Sequence, residues 1–266
     1  MSDGLHQRAR NRLRRAYRDA TSGLRLLPSF LIIGAARAGT TSLYSYLVRH
    51  PSVRAPTHKE LHFFDLNYER GLDWYRRHFP AVLPGNREGS LTGEASPYYL
   101  FHPAVPSRVA QTLPDVRLIA LLRNPVDRAY SQHQLASRHG RDELSFEQAV
   151  AAEPERLAGE SELSHRHHSY LARGLYAEQL ERWYEHFPRE QLLVLRSEDF
   201  FSDPPAIYAD VLRFLELPPY ELREYRAYNQ KPYDGLSPAL REELERYFAG
   251  PNRRLADLLG RDLGWD

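Results

Sequence analysis

The residues of this chain best suited to chemistry lie in three short runs. They are Gly34 to Ser42 within FLIIGAARAGTTSLYSYLVRHP, the pair Lys59 and Glu60 ahead of LHFFD, and Arg123 with Ser131 in LIALLRNPVDRAYSQH. In the first run an apolar strand passes through a glycine turn into a helix. Gly34 and Gly39 let the backbone approach a ligand, and the free N–H groups and positive dipole end of the helix face the same point. Thr40, Thr41 and Ser42 add hydroxyl donors, and Arg37 is the one cation inside the loop. Such a turn suits a phosphate or a sulfate. The glycine spacing is that of a P-loop, but Thr40 stands where a nucleotide triphosphatase carries lysine. A turn that needs glycine for geometry alone has the same spacing, so the loop does not assign a function unaided.

The other two runs offer a base and a second anion site. Glu60 can take up a proton if burial beside Phe63 and Phe64 lifts its pKa toward neutrality; the alternative is a surface carboxylate paired with Lys59. His62 is a second candidate base, one of 12 histidines. Arg123 ends an apolar strand, and Ser131 follows eight positions later near the start of a helix opened by Pro125. Arginine presents a bidentate fork to phosphate and serine adds a short donor, although an arginine at a strand end often forms only a salt bridge. Only two of the 36 basic residues are lysines, Lys59 and Lys231. Arginine replaces lysine readily on a solvated surface but not at a compact point-charge site, which singles out both.

Positioning these runs requires an α/β framework. Strands are predicted at 30–33, 52–55, 90–94, 116–122 and 192–195. Helices are predicted at 41–50, 72–78, 103–112, 125–137, 145–152, 175–186, 204–215 and 238–249. Their alternation implies a P-loop-like parallel sheet flanked by helices on both faces, with ligands at the carboxyl ends of the strands. A length of 266 residues with 42% hydrophobic content suffices for one core, and no linker divides the chain. We read residues 1–28 as an arginine-rich arm or helix and 29–266 as the single domain. The arm carries Arg8, Arg10, Arg12, Arg14, Arg15 and Arg18 without the apolar run of a signal peptide, and Leu24 to Ala36 is too short to span a membrane. The expected location is therefore cytoplasmic. A formal net charge of +1 argues against a nucleic-acid binder, and the absence of cysteine removes disulfides, thiolate metal sites and cysteine nucleophiles.

Taken in order, the glycine loop, the KE pair before LHFFD and the LIALLRNPVDRAYSQH segment resemble the PAPS-dependent sulfotransferases. The likeness is greatest to the heparan-type carbohydrate sulfotransferases and their bacterial relatives. It extends from about Phe30 onward through DLNYERGLDWYRRHFP, RGLYAEQLERWYEHFPREQLLVLRSEDFFSDP and the final PALREELERYFAGPNRRLADLLGRDLGW.

The resemblance implies transfer of a sulfuryl group from PAPS to a hydroxyl or amine of a carbohydrate or glycosylated small molecule, leaving PAP, with no metal. It implies Glu60 as the general base. It places Arg37, Ala38, Gly39, Thr40, Thr41 and Ser42 around the 5′-phosphosulfate, with Arg37 stabilising the leaving oxygen. Many relatives carry lysine at Arg37; arginine keeps the charge but is a poor proton donor. Arg123 and Ser131 correspond to the 3′-phosphate signature, Lys231 falls in a late basic loop, and Tyr176 is expected near the nucleotide. Lys59, His62 and Glu94 are assigned to the acceptor side, where Ala95 replaces a lysine common in heparan-modifying relatives. Two other readings are a P-loop small-molecule kinase, which the missing loop lysine disfavours, and a non-catalytic nucleotide- or polysaccharide-binding module. Neither the acceptor nor the oligomeric state is legible in the residues.

Overall fold

A computed structural model describes residues 2–82, 90–159, 162–228 and 235–265. Four short apolar runs form one sheet: β1 (Phe30–Gly34), β2 (Gly93–Ala95), β3 (Arg117–Leu122) and β4 (Leu192–Arg196). Their order is β2-β1-β3-β4 and all pairs are parallel, with Phe30 beside Gly93, Leu31 beside Leu118 and Leu118 beside Leu192. Successive strand residues point to opposite faces, yet every residue of β1 is buried, so helices cover the sheet on both sides. Parallel pairing requires crossovers, and each connection carries helix. Gly34 is required by close approach rather than by its dihedrals, since a Cβ there would lie 2.5 Å from the Leu100 Cβ.

The strand expected at 52–55 is instead a single bridge between Val53 and Leu91. Pro51 and Pro56 bracket it, and proline supplies no ladder donor. The helix expected to stop at Ala249 runs from Pro238 to Leu259 through Pro251. Leu244, Phe248 and Leu255 along it are all buried, and this packing outweighs the hydrogen bond that proline removes. Short helices at Phe63–Leu66, Glu153–Ala158, Glu162–His168 and Ser197–Ser202 lie where the periodicity is too brief to read. The arginine-rich segment forms a helix, Ser2–Ala20. Beyond it the chain is already packed on the body, with Arg25 donating to the Phe79 carbonyl at 3.0 Å and Leu26 N–H to the Pro80 carbonyl at 2.9 Å. Among the described residues no helix is long and apolar enough to cross a membrane.

Candidate active site

Strand order reverses between β1 and β3, because the chain leaves β1 for one edge and returns to build the other. Ligands of open α/β sheets bind at that point, outside the carboxyl ends of the strands. The loop after β1, Ala35 to Gly39, and the turn after β3, Arg123 to Asn124, both open there. The two runs singled out by residue type meet at this point in space.

The first helix beyond β1 spans Thr40–Leu47, and its N-cap is Gly39 at φ 100°, with no side chain capping the helix. The helix after β3, Pro125–Arg138, is closed by the Asn124 side chain, which accepts from Val126 N–H at 3.0 Å and Asp127 N–H at 3.3 Å. One helix start is thus satisfied internally, while the other lacks a side-chain acceptor for its first N–H groups. Arg37, at φ 71°, directs its Nε to Ser131 Oγ at 3.0 Å, and Arg123 Nη1 donates to the Arg37 carbonyl at 3.2 Å. Tyr176 is buried and supports the turn from within, its hydroxyl donating to the Arg123 carbonyl at 2.8 Å. Ala38 is also buried, and its carbonyl accepts from Ser197 Oγ at 2.9 Å.

Ser42 departs from expectation. It is fully buried, and its Oγ accepts the Tyr228 N–H at 2.9 Å, so it fastens a crossing segment rather than facing the loop. Lys231 lies outside the described residues.

A cleft of about 280 Å³ opens over the loop, lined on one side by Arg37, Thr40 and Thr41 and on another by Glu60 and His62. Lys59 connects the two: its Nζ donates to Thr41 Oγ1 at 3.0 Å and forms an ion pair with Glu60. His62 lies with Nε2 3.8 Å from Glu60 Oε2 and Nδ1 2.6 Å from Asp65 Oδ2. The result is an unbroken polar series from Thr41 through Lys59, Glu60 and His62 to Asp65.

Glu60 does not gain a raised pKa. Phe63 and Phe64 turn into the core, whereas the Glu60 side chain is 44% exposed. Partial desolvation pushes its pKa up, but hydrogen bonding to His62 and the Lys59 charge outweigh this and hold it down at about 2. His62 moves oppositely. Burial pushes it down, yet the hydrogen bonds to Asp65 and Glu60 prevail and carry it to about 9, so it is an imidazolium at neutral pH and not a base.

Glu94, expected on the acceptor side, does not reach the cleft. It is fully buried in β2, where its carboxylate accepts from Tyr75, Tyr99, Ser96 and the Leu61 N–H, and burial raises its pKa.

Several cleft residues escaped the sequence reading. Asp65, buried behind the cleft against His62, could have been found from its spacing, three residues after His62. Arg141, Arg166, His167 and Arg173 line the far wall, so that Glu60 is the one carboxylate among the lining residues. The run His165 to His168 was the local signal for Arg166 and His167. Arg173 is buried, its guanidinium 4.6 Å from the Tyr98 ring, and it holds the end of the helix Glu162–His168 by donating to the carbonyls of His165 and Arg166 at 3.3 and 2.6 Å. Burial first and Arg128 second bring its pKa down to about 10, which leaves it charged. Arg123 and Ser131 stand behind Arg37 rather than in the cleft wall. They form the deeper part of the same constellation.

Comparison with known proteins gives the family of the chain. The model of the sulfotransferase domain family matches residues 27–231. The crystal structure of a sulfotransferase from Alicyclobacillus acidocaldarius is similar with a TM-score of 0.78 and 36% identity, covering 90% of this chain and 99% of that one. Heparan sulfate glucosamine 3-O-sulfotransferase 3A1 of Mus musculus is 33% identical over 92% of this chain and 66% of its own length. Bifunctional heparan sulfate N-deacetylase/N-sulfotransferase 3 of Homo sapiens is 36% identical over 73% of this chain and 23% of its own. The chain therefore spans less than two thirds of each of these two relatives.

Proposed function

The chain belongs to the sulfotransferase domain family, and from that premise we propose that it transfers a sulfuryl group from PAPS to a hydroxyl or amine of a carbohydrate or glycosylated small molecule, with Glu60 as the base. The observation that carries this reading is the convergence on one switch point of an uncapped helix start, two bonded arginine segments and an ionised carboxylate.

PAPS, when bound, supplies the sulfuryl group and a bisphosphate leaving group. Arg37, Thr40, Thr41 and the loop N–H groups would hold the phosphosulfate end, and Arg123 with Ser131 the 3′-phosphate. The chemistry of the donor set fits, since every one of these groups donates hydrogen bonds and the two arginines offer forks suited to phosphate. Fixed cations and N–H groups at the departing oxygen stabilise charge as it develops.

Glu60 takes the acceptor proton as the new oxygen–sulfur or nitrogen–sulfur bond forms. Its low pKa keeps it ionised and ready across neutral pH, and its placement compensates for modest basicity. Lys59, between Thr41 and Glu60, ties the base to the donor loop. The cationic far wall favours an acidic sugar, and the heparan sulfate enzymes among the relatives make heparan oligosaccharides the first acceptors to try.

The test is incubation with ³⁵S-labelled PAPS and a panel of heparan fragments and glycosylated metabolites. We expect label to pass to at least one acceptor and PAP to compete with PAPS. Tight binding of ATP with no binding of PAP would overturn the reading in favour of a kinase.

A further inference from the structure

We propose that Glu94 is the positioning residue for the segment that carries Glu60, His62 and Asp65, because this one buried carboxylate fixes four consecutive backbone N–H groups, directly or through a single hydroxyl. Its consequence for turnover rests on Glu60 being the base; the hydrogen-bond arrangement does not.

The bonds form two branches. Oε2 accepts the Leu61 N–H at 3.1 Å and the Ser96 hydroxyl at 3.1 Å, and Ser96 Oγ in turn accepts the His62 N–H at 3.3 Å. Oε1 accepts the Tyr75 and Tyr99 hydroxyls at 2.7 and 2.8 Å, and the Tyr99 oxygen accepts Phe63 N–H at 2.8 Å and Phe64 N–H at 3.3 Å. A hydroxyl has one proton to give. Because Ser96 and Tyr99 give theirs to Glu94, their lone pairs are left facing the backbone donors. The carboxylate therefore sets the polarity of the whole arrangement, and in a dry interior such chains reinforce one another.

The segment needs that hold. Glu60 and His62 sit at φ 60° and 50°, a left-handed conformation that non-glycine residues resist and that persists only where the surroundings over-determine it. The two side chains it presents to the cleft are the ones held in this unusual conformation. The same tyrosines also fix the segment by packing, Tyr75 stacked on Phe63 at 4.3 Å and Tyr99 edge-on to Phe64 at 5.7 Å. A carboxylate at the hub and aromatic rings around it together hold the segment that carries Glu60, His62 and Asp65.

Glu94→Gln tests this with almost no change of volume, since an amide must point a donor at one of the two branches. The readout is the titration of His62, which faces Glu60, Asp65 and, from the helix Glu162–His168, Arg166. It is followed by NMR on histidine-labelled protein and assigned with His62→Asn. In folded Glu94→Gln we expect the His62 midpoint to move toward the free value of about 6.5 by roughly one unit. We also expect kcat for label transfer to a heparan oligosaccharide to fall at least about tenfold, with PAP affinity within about twofold. Ser96→Ala and Tyr99→Phe, each cutting one branch, should move the midpoint the same way by less, and they decide the question if Glu94→Gln does not fold. An unmoved His62 midpoint in the folded variants overturns the proposal. A shifted midpoint with no transfer activity even in the wild type upholds it and removes the base assignment instead.

Discussion

Arg123 donates from Nη1 to the backbone carbonyl of Arg37 at 3.2 Å, so a side chain at the end of β3 braces the loop after β1 from 86 residues away in sequence. The contact makes one site of two segments, because Arg37 also reaches across to Ser131 on the helix that Arg123 introduces.

Arg123→Ala therefore removes a brace and, under the proposed function, a phosphate partner. We expect bisphosphoadenosine binding to weaken by about 1.5–3 kcal/mol, the range for a lost hydrogen bond to a charged group. Isothermal titration calorimetry with PAP measures it directly. Affinity indistinguishable from wild type would show that Arg123 has no part in donor recognition.

Gly39→Ala probes the loop itself. Gly39 lies at φ 100°, and a Cβ there would stand 3.0 Å from the ring of the partly buried Phe201 and 3.2 Å from that of the fully buried Phe200. Gly140 supplies the control, at φ 63° with nothing within 4 Å of the added Cβ. Backbone strain alone costs about 1–2 kcal/mol, and crowding adds about 1–3 kcal/mol at position 39 only. Urea unfolding should rank Gly39→Ala below Gly140→Ala, and equal losses would refute the crowding.

Glu60→Gln should lower kcat for sulfate transfer by about 10²- to 10⁴-fold, the range for loss of a positioned general base. PAP affinity should stay within about twofold. Because Glu60 is 44% exposed, its pairing with Lys59 contributes little to folding, and the stability change should remain within about 1 kcal/mol. Retained turnover would remove Glu60 from the chemistry and pass the role of base to another group.

How much of this was legible depends on how local each cause is. Strands β1, β3 and β4 were marked by apolar runs long enough to bury on both faces, and the loop at Gly39 by residue types whose geometry acts within a few positions. Glu60 was found, but its environment was misjudged, because adjacency to Phe63 and Phe64 in sequence says nothing about which way the chain turns. Two left-handed residues send the rings inward and the carboxylate out to Lys59 and His62. Glu94 was misplaced for the same reason: its burial is decided by Tyr75, 19 residues away, and by the return of the chain that brings Leu61 to β2. The cationic far wall was unreadable because its members come from the bend at Arg141, the helix Glu162–His168 and the short turn Ala172–Gly174, segments that lie around the second core, where Val126, Phe146, Tyr170 and Phe248 pack.

The opposed shifts of Glu60 and His62 give stability a definite dependence on pH. His62 is raised from 6.5 to about 9, so its pairing contributes fully below pH 6.5 and is lost as pH rises through 9. Glu60 is lowered to about 2, so its contribution is present above 4.5 and lost as pH falls through 2. Between pH 4.5 and 6.5 both are in force. The His62 side chain is only 15% exposed and its loss should be measurable, on the order of 2 kcal/mol between pH 6 and 10. Glu60 is too exposed for a comparable effect on the acid side. Urea unfolding of wild type and His62→Asn across this range isolates the His62 contribution, since every other titrating group is common to both proteins. The difference between the two stabilities should shrink as pH rises from 6.5 to 10; a difference that stays constant would mean that His62 is not held as an imidazolium between Glu60 and Asp65.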